Sequence, residues 1–278
     1  MNFNNRYKEK IKNIDTYISE YLSDYKKASP NLIDAMKYSV LNGGKRLRSV
    51  LCTEVCSMLG GDAKKAMPFA CGIELIHAYS LVHDDLPAMD NADTRRGQPS
   101  CHKKYGEAMG ILCGDALLNS AYELMLSNCD DESCVKAAKI LAETAGSEGM
   151  ITGQVKDLYV GSSGNVTKDV LIDIIEQKTM AIIRGSVLAG SIIAGANDKT
   201  LFKMEKFAYS LGLAFQIRDD FEDIAEDVAG QNDCPNFINA MGESNAKELL
   251  DYHSNICKQI ISEFDNKGFL TEFLNYLF

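Results

Sequence analysis

A stretch of the chain without proline is the feature that most constrains its fold. The 278 residues include five prolines, and none of them lies between Pro99 and Pro235. Because proline inside a helix removes a backbone hydrogen bond and clashes with the preceding turn, this stretch can form long uninterrupted helices. Apolar residues recur at helical spacing, whereas strand signals are almost absent. The sequence therefore predicts one all-α domain over residues 1–278, with roughly ten or more helices.

Turn residues mark the predicted helix ends. Ser29 followed by Pro30 is typical of a helix start, because serine caps the first turn and proline fits the first helical position. Paired glycines at 43–44 and 60–61 are predicted to end helices. The remaining breaks lie at 86–97, 159–167 and 228–236. None of these segments is long enough to be an interdomain linker.

Charge and cysteine usage exclude several classes of protein. With 29 basic and 39 acidic residues, the net charge is −10, which argues against nucleic-acid binding and suits small anionic ligands better. The nine cysteines have no metal-binding spacing, so we expect free thiols in a reducing compartment, the cytoplasm. The polar N-terminus is unlike a signal peptide, and the most apolar stretch, Gly185 to Ala196, is too short to span a membrane.

The first of two acidic clusters lies at a predicted helix end. Pro87 disfavours helical geometry in the residue before it, so the helix should end near Leu86. Asp84 and Asp85 then occupy the last turn, where the helix dipole is already negative, and Asp90 can fold back towards them. Three acids in this position destabilise the helix unless a cation compensates their charge.

The second acidic cluster shares one helical face. At about 100° per residue, its polar residues fall within roughly a third of the helix circumference. They are Gln216, Asp219, Asp220 and Asp223. A solvated acidic face is the usual explanation of such a run, and it fits Glu222 and Glu226 well but the first cluster poorly. Two carboxylate clusters without cysteine or clustered histidine favour a hard cation such as Mg²⁺, which shares its shell with water and phosphate oxygens. The pattern predicts a metal-bound polyphosphate.

Two basic clusters accompany the acidic ones. Lys45, Arg46 and Arg48 follow a Gly-Gly break at the start of a predicted helix, where backbone amides and cationic side chains form an anion site that needs no metal. Arg95 and Arg96 supply a second set of forked donors. Either cluster alone would more often be a solvated surface. One metal-assisted and one metal-free anion site form a more specific combination.

Three further residues are considered for the site. His77 lies two helical turns before Asp84 on the same face, which favours a functional role as much as that of a core histidine. Lys178 and Thr179 precede an apolar helix, and from the residues alone we expect them at the surface.

The motifs together resemble those of a known family. They are "GGKRLR" at 43–48, "HDDLPAMD" at 83–90 with "RRG" at 95–97, "KT" at 178–179, and "GLAFQIRDDFED" at 212–223. In this order they resemble the trans-prenyltransferases, or polyprenyl synthetases, and most closely the bacterial farnesyl diphosphate synthases. The resemblance implies a single-domain isoprenoid-synthase helical bundle around a central cavity, and a homodimer. It also implies Mg²⁺-dependent condensation of isopentenyl diphosphate with dimethylallyl or geranyl diphosphate.

The resemblance assigns roles to individual residues. Six carboxylates would hold more than one Mg²⁺ on the allylic diphosphate: Asp84, Asp85, Asp90, Asp219, Asp220 and Asp223. Four side chains match the isopentenyl diphosphate site: Lys45, Arg48, His77 and Arg96. Four match contacts to the allylic diphosphate: Arg95, Lys178, Thr179 and Gln216. The residues given a catalytic role are Asp84, Asp85, Asp90, Arg95, Lys178 and Asp219.

Product length is predicted from the floor of the cavity. Tyr79 lies five residues before Asp84, about 7.5 Å along a helix, where its ring could close an apolar tunnel. It could also be an ordinary core aromatic. In the family, an aromatic residue at this position goes with a fifteen-carbon product. With Ser80 beside it, Tyr79 predicts (2E,6E)-farnesyl diphosphate.

One segment departs from the family pattern. The family usually has a lysine, followed by Thr-Tyr, after the second acidic cluster, but no lysine occurs here between Lys206 and Lys247. Cys234 and Asn236 take the expected lysine and threonine places. The loss of positive charge near the leaving group predicts slower turnover or weaker allylic binding.

Three other functions stay open at this point. A geranyl or geranylgeranyl diphosphate synthase differs only in product length. A terpene cyclase shares the acidic helix ends but has no use for the second, metal-free anion site. A weakly active or non-catalytic modulatory subunit is a protein of a different class. Such a subunit would be expected to lose its acidic clusters, whereas both are complete in this chain.

Overall fold

The computed structural model describes residues 2–160, 167–226, 236–265 and 268–278, and these residues are almost entirely helical. The first half contains α1 (Phe3–Ser23), α2 (Pro30–Leu41), α3 (Leu47–Met58), α4 (Ala63–Asp84), α5 (Cys101–Tyr105), α6 (Glu107–Leu126) and α7 (Glu132–Ala145). The second half contains α8 (Met150–Val160), α9 (Lys168–Ile175), a π-helical turn (Glu176–Met180), α10 (Ala181–Ile193), α11 (Asp198–Glu226), α12 (Phe237–Met241), α13 (Glu243–Ser262) and α14 (Phe269–Leu277). The predicted all-α class is confirmed.

A small hairpin is an element that the sequence did not predict. Strands β1 (Thr94–Arg95) and β2 (Gln98–Pro99) pair antiparallel. The two residues between them, Arg96 and Gly97, both have positive φ, of 53° and 73°. This backbone matches the turn type that joins tight hairpins. The hairpin therefore holds Arg95 and Arg96 in fixed positions beside the end of α4.

The predicted helix ends agree with the structure. Ser29 and Pro30 start α2, and Gly43 and Gly44 follow it with φ values of 75° and 116°. Such values favour glycine because it lacks a Cβ atom. Helix α4 ends at Asp84, two residues before the predicted boundary.

Helix α10 lies at the centre of the bundle. It is the most apolar segment of the sequence, and it packs against α3, α4, α7 and α11. A Cβ atom on Gly190 would lie 3.1 Å from the carbonyl carbon of Cys52, so only glycine lets α10 and α3 approach this closely. Cys52 and Cys56 are fully buried small side chains. Among the described helices, none has the length and apolar character that crossing a membrane would require.

A second, smaller core supports the C-terminal half of α11. It brings together residues of α9, the π-helical turn, α11, α12 and α13: Leu171, Ile175, Met180, Leu213, Ile217, Phe237 and Ala246. Because these residues are apolar and tightly packed, they fix the rotation of α11 about its own axis. The positions of Gln216, Asp219, Asp220 and Asp223 on α11 are thereby fixed relative to α9, α12 and α13.

Candidate active site

The first acidic cluster forms at the C-terminal end of α4. The chain folds back there, because the amide of Asp90 donates to the carbonyl oxygen of Asp84 at 2.9 Å. The Asp84 carboxylate accepts a hydrogen bond of 2.6 Å from Nε2 of Gln154 on α8. Burial raises the pKa of Asp84 above its ordinary value; the charges of Lys178 and Arg95 oppose this rise, whereas those of Asp90 and Asp85 add to it. The expected crowding of carboxylates at a helix end is therefore present, and a cation would relieve it.

Asp85 differs from its two neighbours because it already has a cationic partner. It is 2% exposed, and both of its carboxylate oxygens accept hydrogen bonds from the guanidinium of Arg95. This forked geometry is the strongest form of carboxylate–arginine pairing. The two residues therefore orient each other, so that Asp84 and Asp90 are the carboxylates with oxygen atoms left for a metal.

Helix α8 and the π-helical turn form the wall opposite the end of α4. Nζ of Lys178 lies 2.6 Å from the carboxylate of Asp157, one turn after Gln154 on α8. Lys178 and Thr179 line a cavity together with Asp84, so the surface position expected from the residues alone is wrong. They reach the cavity because the π-helical turn has one more residue per hydrogen-bonded turn than an α-helix. This extra residue rotates both side chains inward.

The sequence alone did not identify Gln154 and Asp157 as site residues, nor Gly153, which allows α8 to pack against the π-helical turn. A Cβ atom on Gly153 would lie 2.5 Å from the carbonyl carbon of Gln177 and 2.6 Å from Cα of Lys178. Only glycine allows α8 to lie against the backbone of the π-helical turn. The signal available in the sequence was the segment "TGQVKD", where Gln154 and Asp157, three residues apart on one helical face, follow a glycine inside the helix.

The second acidic cluster lies along one face of α11, as predicted. Asp219 pairs with Arg218 at 2.6 Å. Asp220 is buried and accepts hydrogen bonds from Nε2 of Gln216 at 3.1 Å and from the amide of Phe237 at 2.8 Å. Burial raises the pKa of both Asp219 and Asp220. Asp223 is exposed. The position of Cys234 lies outside the described residues, and Asn236 is the cap of α12.

The basic loop before α3, residues 43–46, is held in place by hydrogen bonds to the rest of the bundle. Arg46 has a left-handed backbone, with φ of 46°, and its guanidinium is buried. The carbonyl oxygen of Lys45 accepts a hydrogen bond from the hydroxyl of Tyr7. The amide of Ser49 donates to a carboxylate oxygen of Glu74 at 3.3 Å. This first-turn amide is therefore occupied, and the expectation that the amides of this helix start bind the anion is not met at Ser49.

The remaining predicted residues complete the basic site. Arg96 donates to the carbonyl oxygen of Gly43 at 2.7 Å, which joins the hairpin to the basic loop. Burial, followed by the charges of Arg48, Arg96 and other arginines, holds the pKa of His77 well below its ordinary value. His77 is therefore neutral near pH 7. The buried Nε atom of Arg48 has no hydrogen-bond partner among the described residues, which is the arrangement expected where an anion binds.

Two cavities meet at this site. One has a volume of about 400 Å³ and is mostly apolar, and its lining includes Asp84, Lys178, Tyr79 and Ser80. The other, of about 580 Å³, is lined by the basic loop and by Phe215 of α11. The cavities share the side chains of Arg48 and His77. An anion in the basic cavity would therefore lie next to a ligand in the apolar one.

The carboxylates of α4 lie near one another, and so do those of α11, but neither cluster forms a complete metal site. Among the described residues, no three acidic, histidine or cysteine side chains are grouped closely enough to hold a metal ion. Mg²⁺ commonly uses only one or two protein carboxylates and takes its other ligands from water and phosphate. The all-oxygen donor set at the end of α4, where Asp84 and Asp90 lie close together, fits such an ion.

Comparisons with known proteins agree with the geometry. A family model described as polyprenyl synthetase matches residues 29–233. The chain belongs to the polyprenyl synthetase family. It is a prenyltransferase of the trans type, and the predicted resemblance is confirmed.

Its curated relatives differ in the length of the products that their names state. The farnesyl diphosphate synthase of Geobacillus stearothermophilus is 39% identical over 269 residues, which cover 92% of this chain and 90% of that protein. The chloroplastic geranylgeranyl pyrophosphate synthase of Catharanthus roseus is also 39% identical, over 244 residues, covering 84% of this chain and 68% of that protein. Sequence identity alone therefore does not separate the two products.

Solved structures of related proteins share the fold. An FPP/GFPP synthase from Zymomonas mobilis superimposes with a TM-score of 0.91 at 29% identity, covering 99% of this chain and 98% of that one. A geranyltransferase from Legionella pneumophila gives a TM-score of 0.90 at 28% identity, covering 99% and 96%. The prenyltransferase has the isoprenoid-synthase helical bundle that the sequence predicted.

The contact between α8 and the π-helical turn yields a testable prediction. In the Gly153→Ala variant, the added methyl group forces the two segments apart and separates Lys178 from Asp157. We expect prenyltransferase activity to fall by about tenfold or more, since small displacements of positioning groups are costly. Overpacking should also cost about 1–3 kcal/mol of unfolding free energy in urea. Thr152→Ala, at the neighbouring position, should retain near-normal activity. Full activity of Gly153→Ala would contradict the assigned role of this contact.

Proposed function

We propose that this prenyltransferase condenses isopentenyl diphosphate with an allylic diphosphate, dimethylallyl or geranyl, in the presence of Mg²⁺. The observation that carries the proposal is the junction of the two cavities at Arg48 and His77. One cavity joins the carboxylate of Asp84 to an apolar pocket, which suits a metal-bound diphosphate with a hydrocarbon tail. The other is lined by Lys45, Arg48 and Arg96, whose positive charges suit a diphosphate bound without metal.

The proposed site divides its residues between the two substrates. Asp84 and Asp90 on one wall and Asp219, Asp220 and Asp223 on the other would hold Mg²⁺, and Asp85 supports them through Arg95. Lys178, Thr179 and Gln216 would contact the allylic diphosphate. Lys45, Arg48, His77 and Arg96 would bind isopentenyl diphosphate. More than one Mg²⁺ per site is expected, because two separate walls carry carboxylates.

The reaction needs charge stabilisation rather than a nucleophilic side chain. Bound Mg²⁺ would offset the negative charge that develops on the departing diphosphate. Lys178 and Arg95 add positive charge at the same place as the allylic carbon–oxygen bond breaks. Arg48 and His77 hold the isopentenyl double bond beside the resulting allylic cation, which it attacks to form the new carbon–carbon bond. A proton is then lost to the released diphosphate.

Farnesyl diphosphate is the product that the apolar cavity favours. Tyr79 is 8% exposed and lies in the cavity wall, where its ring meets the imidazole of His83 at 5.9 Å between centroids. A rigid aromatic ring at this depth blocks a growing chain. Geranylgeranyl diphosphate is the alternative, because several relatives carry that name.

The assembly and location are further parts of the proposal. We propose a single domain over residues 1–278 that forms a homodimer through the outer face of α6. Ile111, Leu112 and Leu126 on that face are 49%, 56% and 63% exposed, and neighbouring exposed apolar residues mark contact surfaces. A cytoplasmic location fits the eight described cysteines, which are all free thiols.

One assay tests the proposed reaction. Purified protein is supplied with Mg²⁺, labelled isopentenyl diphosphate and either dimethylallyl or geranyl diphosphate, and the dephosphorylated products are separated by chromatography. We expect farnesol as the main product and loss of activity with EDTA. Absence of any condensation, combined with binding to an active homologue, would favour a modulatory subunit instead. A cyclic hydrocarbon product would favour a terpene cyclase.

The proposed role of Tyr79 in closing the apolar cavity can be tested separately. Removal of the ring in the Tyr79→Ala variant should deepen the cavity and shift products from fifteen carbons to twenty or more. Tyr79→Phe keeps the ring and should retain the parental product distribution. The same chromatography measures both variants. An unchanged product length in Tyr79→Ala would show that another residue closes the cavity.

A further inference from the structure

A buried carboxylate lies inside the basic cavity, where no role has been assigned to it. Glu74 on α4 lines this cavity together with Lys45, Arg48 and His77. It is 3% exposed. A negative charge in this position repels any anion that enters the cavity, so its presence opposes the function of the residues around it.

The contacts of Glu74 fix its carboxylate in place. One oxygen accepts hydrogen bonds from the hydroxyl of Ser49 at 2.8 Å and from the amide of Ser49 at 3.3 Å. The other oxygen lies 3.5 Å from Nη1 of Arg46. Arg46 is held in turn by Asp15 at 2.7 Å and by the carbonyl oxygen of Val40 at 2.6 Å. The carboxylate therefore cannot turn away when an anion approaches.

The charge of Glu74 reaches two of the arginines that face the cavity. Burial lowers the pKa of Arg48 and of Arg96, and the carboxylate of Glu74 opposes that effect at both. The negative charge of Glu74, which is shielded from solvent, thus partly offsets the positive charge that Arg48 and Arg96 present to a diphosphate. Charge pairs shielded in this way are screened only weakly by salt.

We propose that Glu74 limits the affinity of the basic cavity for diphosphate, so that the product can leave. The inference rests on the proposed function, in which the diphosphate of the isopentenyl unit stays attached to the product. That product must leave the basic cavity before another isopentenyl diphosphate enters. Without an opposing charge, the buried cations would retain it and slow every turnover.

The Glu74→Gln variant separates the charge of Glu74 from its contacts, because glutamine keeps an oxygen that can accept from Ser49. We expect the dissociation constant of isopentenyl diphosphate, measured by calorimetry in excess EDTA, to fall by about tenfold, the effect of 1.4 kcal/mol. In steady state, KM for isopentenyl diphosphate and kcat should fall together, because release becomes slower. A merely structural role would instead raise the dissociation constant. A folded Glu74→Gln variant with unchanged or weaker binding overturns the inference.

Two control variants remove contacts around Glu74 without neutralising it. Ser49→Ala deletes the hydroxyl that bonds the carboxylate, and it should leave binding unchanged or weaker. Asp15→Asn neutralises the other carboxylate that pairs with Arg46. The side chain of Asp15 is 35% exposed. Solvent screens that charge, so its neutralisation should tighten binding by less than about threefold. A gain at Asp15→Asn as large as at Glu74→Gln would contradict a role specific to Glu74.

A double variant covers the case in which Glu74→Gln alone fails to fold. Arg46→Gln should raise the dissociation constant by about tenfold, whereas Arg46→Gln combined with Glu74→Gln removes one charge of each sign and should restore it to within about threefold of the wild-type value. No restoration in the double variant overturns the inference. If wild-type protein binds no isopentenyl diphosphate at all, the proposed function itself is contradicted.

Discussion

Charges of both signs are concentrated around two adjoining cavities, and the architecture depends on how each one is compensated. A buried charge without a partner costs several kcal/mol, so the fold must supply partners before any ligand arrives. It supplies them from separate structural elements: Gln154 of α8 for Asp84, the hairpin residue Arg95 for Asp85, and the amide of Phe237 for Asp220. The bundle is therefore also a scaffold that keeps opposing charges at fixed separations.

Backbone geometry makes these partnerships possible. Gly153 lets α8 lie against the π-helical turn, and Gly44 lies where a Cβ atom would be 3.0 Å from the guanidinium of Arg96. Arg46 and Arg96 adopt left-handed conformations that are uncommon for residues with a side chain. Such strain persists only where the surroundings hold it in place, and here it occurs at the two loops that carry the cations.

Local sequence signals predicted the parts of the site that lie on single helices. The end of α4 followed from Pro87, and the acidic face of α11 followed from helical periodicity alone. What could not be predicted depends on contacts between distant segments. Lys178 faces the cavity because of a π-helical turn packed against Gly153, and Glu74 enters the basic cavity because α4 lies beside the start of α3. For the first contact the sequence offers only the glycine that precedes Gln154 and Asp157, and for the second it offers no periodic or compositional signal. The hairpin at 94–99 was missed because two-residue strands are too short to show alternation.

We propose that the carboxylates of α4 and α11 hold divalent ions together with a diphosphate group. Equilibrium dialysis with Mn²⁺ as the probe measures this directly, in the presence and absence of inorganic diphosphate. We expect weak binding by the protein alone, and more than one ion per chain once diphosphate is added. Asp84→Asn and Asp219→Asn should each reduce that number. Equal ion binding by the wild-type protein and both variants would show that these carboxylates do not hold the ions.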